Sequence, residues 1–192
     1  KMFIKKNKYY IYVENLRSIN LDLIKTKNKF NLIYRNNLKK ENIDNVINFI
    51  KLCKKKHIKF FVANNISLAF KTGASGVYLS SYNKELLKRN KKLGKKFEII
   101  GSAHNFREIN IKRMQGCKKV ILSRLFKTDY KDKKSFYGTT RFNLLTKNYD
   151  NDFVALGGIR INNLMKLKML NCKGIAILSE VKKKPAIIRR LF

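Results

Sequence analysis

The residues best placed to do chemistry are cations, hydroxyls and glycines, and they recur where short apolar runs end. Phe153-Val154-Ala155-Leu156 runs into Gly157-Gly158, and Gly174-Ile175-Ala176-Ile177-Leu178 runs into Ser179. Glycine lets a backbone approach a ligand closely, and free amides beside a hydroxyl can cradle an anion. Arg35 follows the run 30–34, Asn64 follows 58–62, Ser80-Ser81 follow 76–79, and Ser102-Ala103-His104 follow 98–101. Thr128 and Lys131 lie in a polar stretch beyond 119–122. This inventory offers charge, hydroxyls and amides but few carboxylates, which suits phosphate or pyrophosphate recognition. It does not suit hydrolysis by paired acids, because no run ends in two of them. A histidine metal cluster is not expected either, since His57 and His104 fall on separate elements. Each residue also has an ordinary reading. Arg35 and Lys131 could be surface cations, His104 a helix cap, Ser102 a loop hydroxyl and Gly157-Gly158 a tight turn.

Alternating elements must position these residues. Strands are expected at 9–13, 30–34, 58–62, 76–79, 98–101, 119–122, 153–156 and 174–178. Most are apolar throughout, as in strands buried on both faces of a parallel sheet. Between them, helices are expected at 19–27, 42–57, a short one ending at Thr72, 83–93, 106–115, 139–146 and 162–170, with a terminal helix from Pro185 to Phe192. The helix at 42–57 is the strongest: Ile43, Val46, Ile47, Ile50 and Cys53 share one face. Eight strand–helix pairs without a linker predict a compact (β/α)8 barrel as a single domain over residues 1–192, trimmed relative to the ~250 residues typical of such barrels. An open doubly wound sheet is the competing architecture. In both, a ligand belongs at the carboxyl ends of the strands.

Composition limits the partners. The net charge of +33 arises from lysines spread along the whole chain, which reads as solvated faces in a Lys-, Asn- and Ile-rich sequence. Such charge implies salt-sensitive, non-specific affinity for nucleic acid and favours phosphorylated substrates. No apolar run approaches the ~20 residues that cross a membrane. Residues 1–8 are basic but no long apolar region follows, so no secretory signal is expected. Cys53, Cys117 and Cys172 are odd in number and lack metal spacing, which predicts reduced thiols and a cytoplasmic location.

Five blocks carry a family resemblance. They are Gly73-Ala74-Ser75-Gly76-Val77-Tyr78-Leu79, Ile99-Ile100-Gly101-Ser102-Ala103-His104, Phe126-Lys127-Thr128-Asp129-Tyr130-Lys131, Ala155-Leu156-Gly157-Gly158-Ile159 and Gly174-Ile175-Ala176-Ile177-Leu178-Ser179. In order and spacing, across about 30–179, they resemble the thiamine phosphate synthase and thiazole tautomerase superfamily of small (β/α)8 barrels. The resemblance implies a transferase of thiamine biosynthesis. It would join hydroxymethylpyrimidine diphosphate to thiazole phosphate and release pyrophosphate. Arg35, Ser102 and Lys131 then match the catalytic diphosphate-side positions. Asn64, His104 and Thr128 match substrate-binding positions, and Gly157, Gly158 and Ser179 match the thiazole phosphate site.

The resemblance also implies Mg2+, held by an Asn-Asp pair after the third strand and an aspartate after the fourth. In register these three positions are Ala63, Asn64 and Asn83, so both carboxylates are amides. Mg2+ binds oxygens and usually one or two carboxylates, so the metal site is expected to be weak. The family lysine after the second strand falls on Asn37, the family histidine of the fourth strand is Tyr78, and the tautomerase histidine is Arg124. Two other readings stay open: a thiazole phosphate-binding protein related to the tautomerase branch, and a non-catalytic phosphate- or polyanion-binding barrel. The fold is compatible with an oligomer.

Overall fold

The structure, a computed structural model, describes residues 8–24, 26–35, 42–86, 96–128 and 135–177. Eight parallel strands close into one barrel in sequence order. They are β1 (Lys8–Val13), β2 (Phe30–Tyr34), β3 (Lys59–Ala63), β4 (Gly76–Leu79), β5 (Glu98–Ala103), β6 (Lys119–Ser123), β7 (Asp152–Leu156) and β8 (Gly174–Ile177). Closure is made by β1 against β8, with Lys8 opposite Gly174 and Ile11 opposite Ile177. That pairing rules out the open doubly wound sheet.

Strands buried on both faces divide their apolar residues between two layers. Tyr10, Tyr12, Ile33, Phe61, Tyr78, Ile100, Ile121 and Val154 fill the barrel interior. Residues of the opposite parity, among them Ile11, Leu32, Tyr34, Phe60, Val62 and Leu122, face the outer shell and pack with the helices. The helices are α1 (Ile43–Lys55), α2 (Ile66–Lys71), α3 (Phe106–Met114) and α4 (Gly138–Lys147). Three of them begin at asparagines whose side chains accept an amide three residues on: Asn42 from Asn45, Asn65 from Leu68 and Asn105 from Glu108. This is N-capping, which satisfies one of the orphan amides of a first turn.

Several expected elements differ. In place of a helix at 19–27 there are two 3-10 turns, Leu16–Ser18 and Leu21–Leu23. Asn15 and Asn20 each accept the amide two residues on, at 2.9 and 2.8 Å, and so divert the backbone into short turns. The segment Ile161–Met169 is 3-10 rather than α-helical. Residues 83–86 are not helical: the Asn83 side chain accepts from the Glu85 amide at 3.2 Å. The rest of the helix expected at 83–93 lies largely outside the described residues, as does the terminal helix from Pro185. β5 runs two residues further than expected, so Ser102 and Ala103 belong to the strand.

The amino-terminal end of the barrel is held by charge. The Glu98 carboxylate pairs with Lys119 at 2.8 Å and also with Lys59. Burial alone would raise this carboxyl, but the two ammonium partners outweigh it and hold it below its ordinary value of 4.5. A carboxyl depressed in the folded state stabilises above its unfolded value, and that stability is lost as pH falls through the folded value. Denaturation midpoints between pH 7 and pH 3 should therefore fall further for the native chain than for Glu98→Gln, with the two converging at the acid end. Parallel curves would contradict this. Among the described residues no helix is long and apolar enough to cross a membrane.

Candidate functional site

At the carboxyl ends of the strands lies a pocket of about 380 Å³, within the range that holds small ligands. Its floor is built from inward-facing strand residues. Tyr12 of β1, Tyr78 of β4 and Ser102 of β5 form a hydroxyl chain: Tyr12 donates to Tyr78 at 3.3 Å, and Tyr78 donates to the Ser102 Oγ at 2.9 Å. Burial in the barrel, with the Tyr78 hydroxyl alongside, holds the Tyr12 phenol well above its ordinary range, so it stays a donor. The Ser102 proton is thereby left for an acceptor in the pocket. Ser123, the last residue of β6, also lines it, and its Oγ lies 2.8 Å from Nδ1 of His104.

Two guanidinium groups reach the rim. Arg35 follows β2, with its guanidinium carbon 5.4 Å from the Tyr12 ring centre, a cation–π distance. Arg124 follows β6, and its Nε and Nη2 donate to the Ser135 carbonyl at 3.1 and 2.8 Å. Among the described lining residues there is no aspartate or glutamate. Thr128 also lines the pocket, and its buried Oγ1 has no hydrogen-bond partner among the described residues. Buried polar atoms are nearly always paired, so this hydroxyl is one expected to meet a ligand or water.

The remaining wall is the turn after β7. Gly158 sits at φ +66°, and a Cβ placed there would lie 2.4 Å from the Lys127 carbonyl oxygen and 2.6 Å from that of Phe126. The turn is pinned to the segment after β6 by Leu125 N–H to the Leu156 carbonyl at 2.9 Å and Phe126 N–H to the Gly157 carbonyl at 3.0 Å. The Asn163 side chain donates to the Gly158 carbonyl at 2.7 Å. Gly158 and Ile159 line the pocket, and their amides meet no acceptor among the described residues. Such a turn presents free N–H groups to an anion.

The pocket thus brings together Arg35, Ser102, His104, Thr128, Gly157 and Gly158 from the residues singled out in the sequence. Lys131 and Ser179 lie outside the described residues, as does Asn37. Asn64 and Asn83 do not line the pocket; they brace it. The Asn64 Oδ1 accepts from the Ser80 amide at 2.9 Å and the Ser80 hydroxyl at 3.0 Å, while its Nδ2 donates to the Tyr82 hydroxyl at 3.0 Å. The Asn83 Oδ1 accepts from Gln115 Nε2 at 3.1 Å. Both amide oxygens are therefore engaged within the protein and neither is a carboxylate. Among the described residues no cluster of three His, Cys, Asp or Glu could hold a metal. The described residues at these positions do not fit Mg2+. Sequence reasoning passed over Ser123, Tyr12 and Tyr82. The first two could have been found by counting strand residues by twos from Ile121 and Tyr10, both inward-facing.

The chain is similar to known proteins. A family model described as thiamine monophosphate synthase matches residues 7–181. A thiamine-phosphate synthase of Prochlorococcus marinus strain AS9601 is 30% identical over 142 residues, covering 73% of this chain and 40% of the relative. A thiamine-phosphate synthase of Pelagibacter ubique is 27% identical over 187 residues, covering 90% of this chain and 88% of the relative. The chain spans about 40% of the length of the Prochlorococcus relatives it matches. Among solved structures, a thiamine phosphate pyrophosphorylase from Pyrococcus furiosus superposes with a TM-score of 0.72 at 19% identity, over 97% of this chain and 92% of that one.

Proposed function

The chain belongs to the thiamine monophosphate synthase family, and on that premise we propose that it is a transferase joining hydroxymethylpyrimidine diphosphate to thiazole phosphate. The observation that carries the reading is the pocket: two arginines, inward serine hydroxyls and unpaired amides meet there, with no described carboxylate in the lining. In the reaction, the bond from the pyrimidine methylene carbon to the diphosphate oxygen breaks and the electron pair leaves with pyrophosphate. The thiazole ring nitrogen then forms the new C–N bond to that carbon. The demand on the protein is to neutralise the leaving group and hold the two rings in line.

Arg35, Arg124, Ser102 and Thr128 are assigned to the diphosphate, and the resemblance adds Lys131 to the same role. The Gly157-Gly158 turn and Ser179 are assigned to the thiazole phosphate, and His104 orients the Ser123 hydroxyl between them. The protein is proposed to work as a single domain in the cytoplasm, with nucleic acid bound only non-specifically through its charge. A tautomerase role is less well supported, because Arg124 replaces the histidine implied for that branch.

The test is formation of thiamine phosphate and pyrophosphate from the two precursors by the purified chain. Product well above a no-protein control supports the reading, and none under conditions where a Pelagibacter-type synthase turns over removes it. A finer test is Tyr78→Phe. The variant keeps the ring but withdraws the donor to Ser102, a neutral hydrogen bond worth about 1 kcal/mol. The expected result is a roughly fivefold fall in kcat/KM, with a modestly lowered Tm because the buried Tyr12 hydroxyl loses its acceptor. A fall of a hundredfold or none at all would remove the hydroxyl chain from the account.

A further inference from the structure

Lys112, on α3, is the one charged side chain in the fully buried class among the described residues. Its ammonium donates to the Ser80 carbonyl at 2.7 Å, the Asn83 carbonyl at 2.7 Å and the Gln115 Oε1 at 2.8 Å. All three donors of an ammonium are thereby used. Every acceptor is neutral, and among the described residues Lys112 makes no ion pair. The nearby Glu108 carboxylate is occupied by the His104 amide at 2.7 Å and the Asn105 side chain at 3.1 Å. The fold makes room for the stem: a Cβ on Gly101 would lie 2.7 Å from the Lys112 Cδ.

Burying an ammonium without a counter-charge is strongly unfavourable unless its donors are satisfied. Here three oxygens converge on it as they would on a bound cation. The same cation gathers the rim segment 80–85. Gln115 Nε2 ties the Asn83 and Glu85 carbonyls at 3.1 and 2.7 Å, and the Asn64 amide holds Ser80 from the other side. Ser80 lines the pocket. Both amides that occupy the implied metal positions are therefore part of a clamp centred on, or adjoining, this lysine.

We propose that Lys112 is a positioning residue, an internal cation that fixes the rim segment 80–85 and adds positive potential to the pocket, so that this chain binds pyrophosphate without a divalent metal. The proposal rests on the proposed function only for the identity of the anion.

Two measurements on the full chain test it. Calorimetry with inorganic pyrophosphate in EDTA should give binding to the native protein, about tenfold weaker binding to Lys112→Met, and unchanged binding to Lys51→Met, an exposed lysine that controls for overall charge. The titrations are run below the Tm of each variant, where a role confined to folding would leave affinity intact. In parallel, the Mn2+ electron paramagnetic resonance spectrum with pyrophosphate should show no ion immobilised by the native protein. One Mn2+ held per chain, binding that needs a metal, or equal losses in the two lysine variants would overturn the proposal. If Lys112→Met does not fold, the Mn2+ spectrum and the EDTA titration of the native protein decide it. Metal-free pyrophosphate binding without turnover of the two precursors would remove the synthase reading and leave this inference standing.

Discussion

Gly158→Ala is expected to abolish measurable turnover and to lower stability by about 2–4 kcal/mol. Two effects add. The residue sits at φ +66°, where any L side chain is strained by about 1 kcal/mol or more. Its new Cβ would also fall 2.4 Å from the Lys127 carbonyl oxygen and 2.7 Å from the Phe126 carbonyl carbon. These are backbone atoms and cannot swing aside as a side-chain end could. Relief requires the turn after β7 and the segment after β6 to part, which breaks the Phe126–Gly157 hydrogen bond and moves Thr128 and the free amides out of register. Denaturant unfolding and kcat/KM measured together check this. A variant with native stability and activity would mean that the close approach at Gly158 plays no part in the site.

Arg35→Ala should separate the two readouts. Arg35 is exposed at the rim, so unfolding free energy should stay within about 0.5 kcal/mol of native. The guanidinium is assigned to a leaving group whose charge develops as the C–O bond breaks. Charge-assisted donors of that kind commonly contribute two to three powers of ten in rate, so kcat/KM is expected to fall roughly 100- to 1,000-fold, with much of the loss in kcat. Arg35→Lys should recover only part of it, because an ammonium lacks the fork that meets two phosphate oxygens at once. A loss confined to KM, or full recovery by lysine, would assign Arg35 to general attraction of anions rather than to the leaving group.

The barrel and the position of its pocket were legible in the sequence, for a physical reason. In a parallel barrel the strands are buried on both faces, so runs such as Phe153-Val154-Ala155-Leu156 stand out, and ligand groups must follow their carboxyl ends. The resemblance drawn from five blocks is borne out by the family match over residues 7–181. The same double burial hides which strand residues point inward, and that is why the Tyr12–Tyr78–Ser102 chain was not foreseen. Lys112 was concealed differently: among 45 lysines and arginines, one more lysine on a helix reads as solvated. Its signal was its place three residues after Ile109, on the buried side of α3. The helix expected at 19–27 failed because asparagines at 15 and 20 offer the backbone local turns, a competition that apolar periodicity does not register. The amides at 64 and 83 stand where the resemblance implies carboxylates, and in the structure their oxygens are taken up within the protein. That they brace Ser80 and Gln115 could not be read without the fold.

The proposed reaction requires the pocket to hold two phosphorylated fragments at opposite ends. Crystals of the chain grown with thiamine phosphate and pyrophosphate in EDTA test this most directly. The expected density places pyrophosphate against Arg35, Ser102 and Arg124, the ester phosphate on the amides of the Gly157-Gly158 turn, and no metal between them. Ligands seated away from this rim, or an inverted arrangement with pyrophosphate on the Gly158 turn, would contradict it.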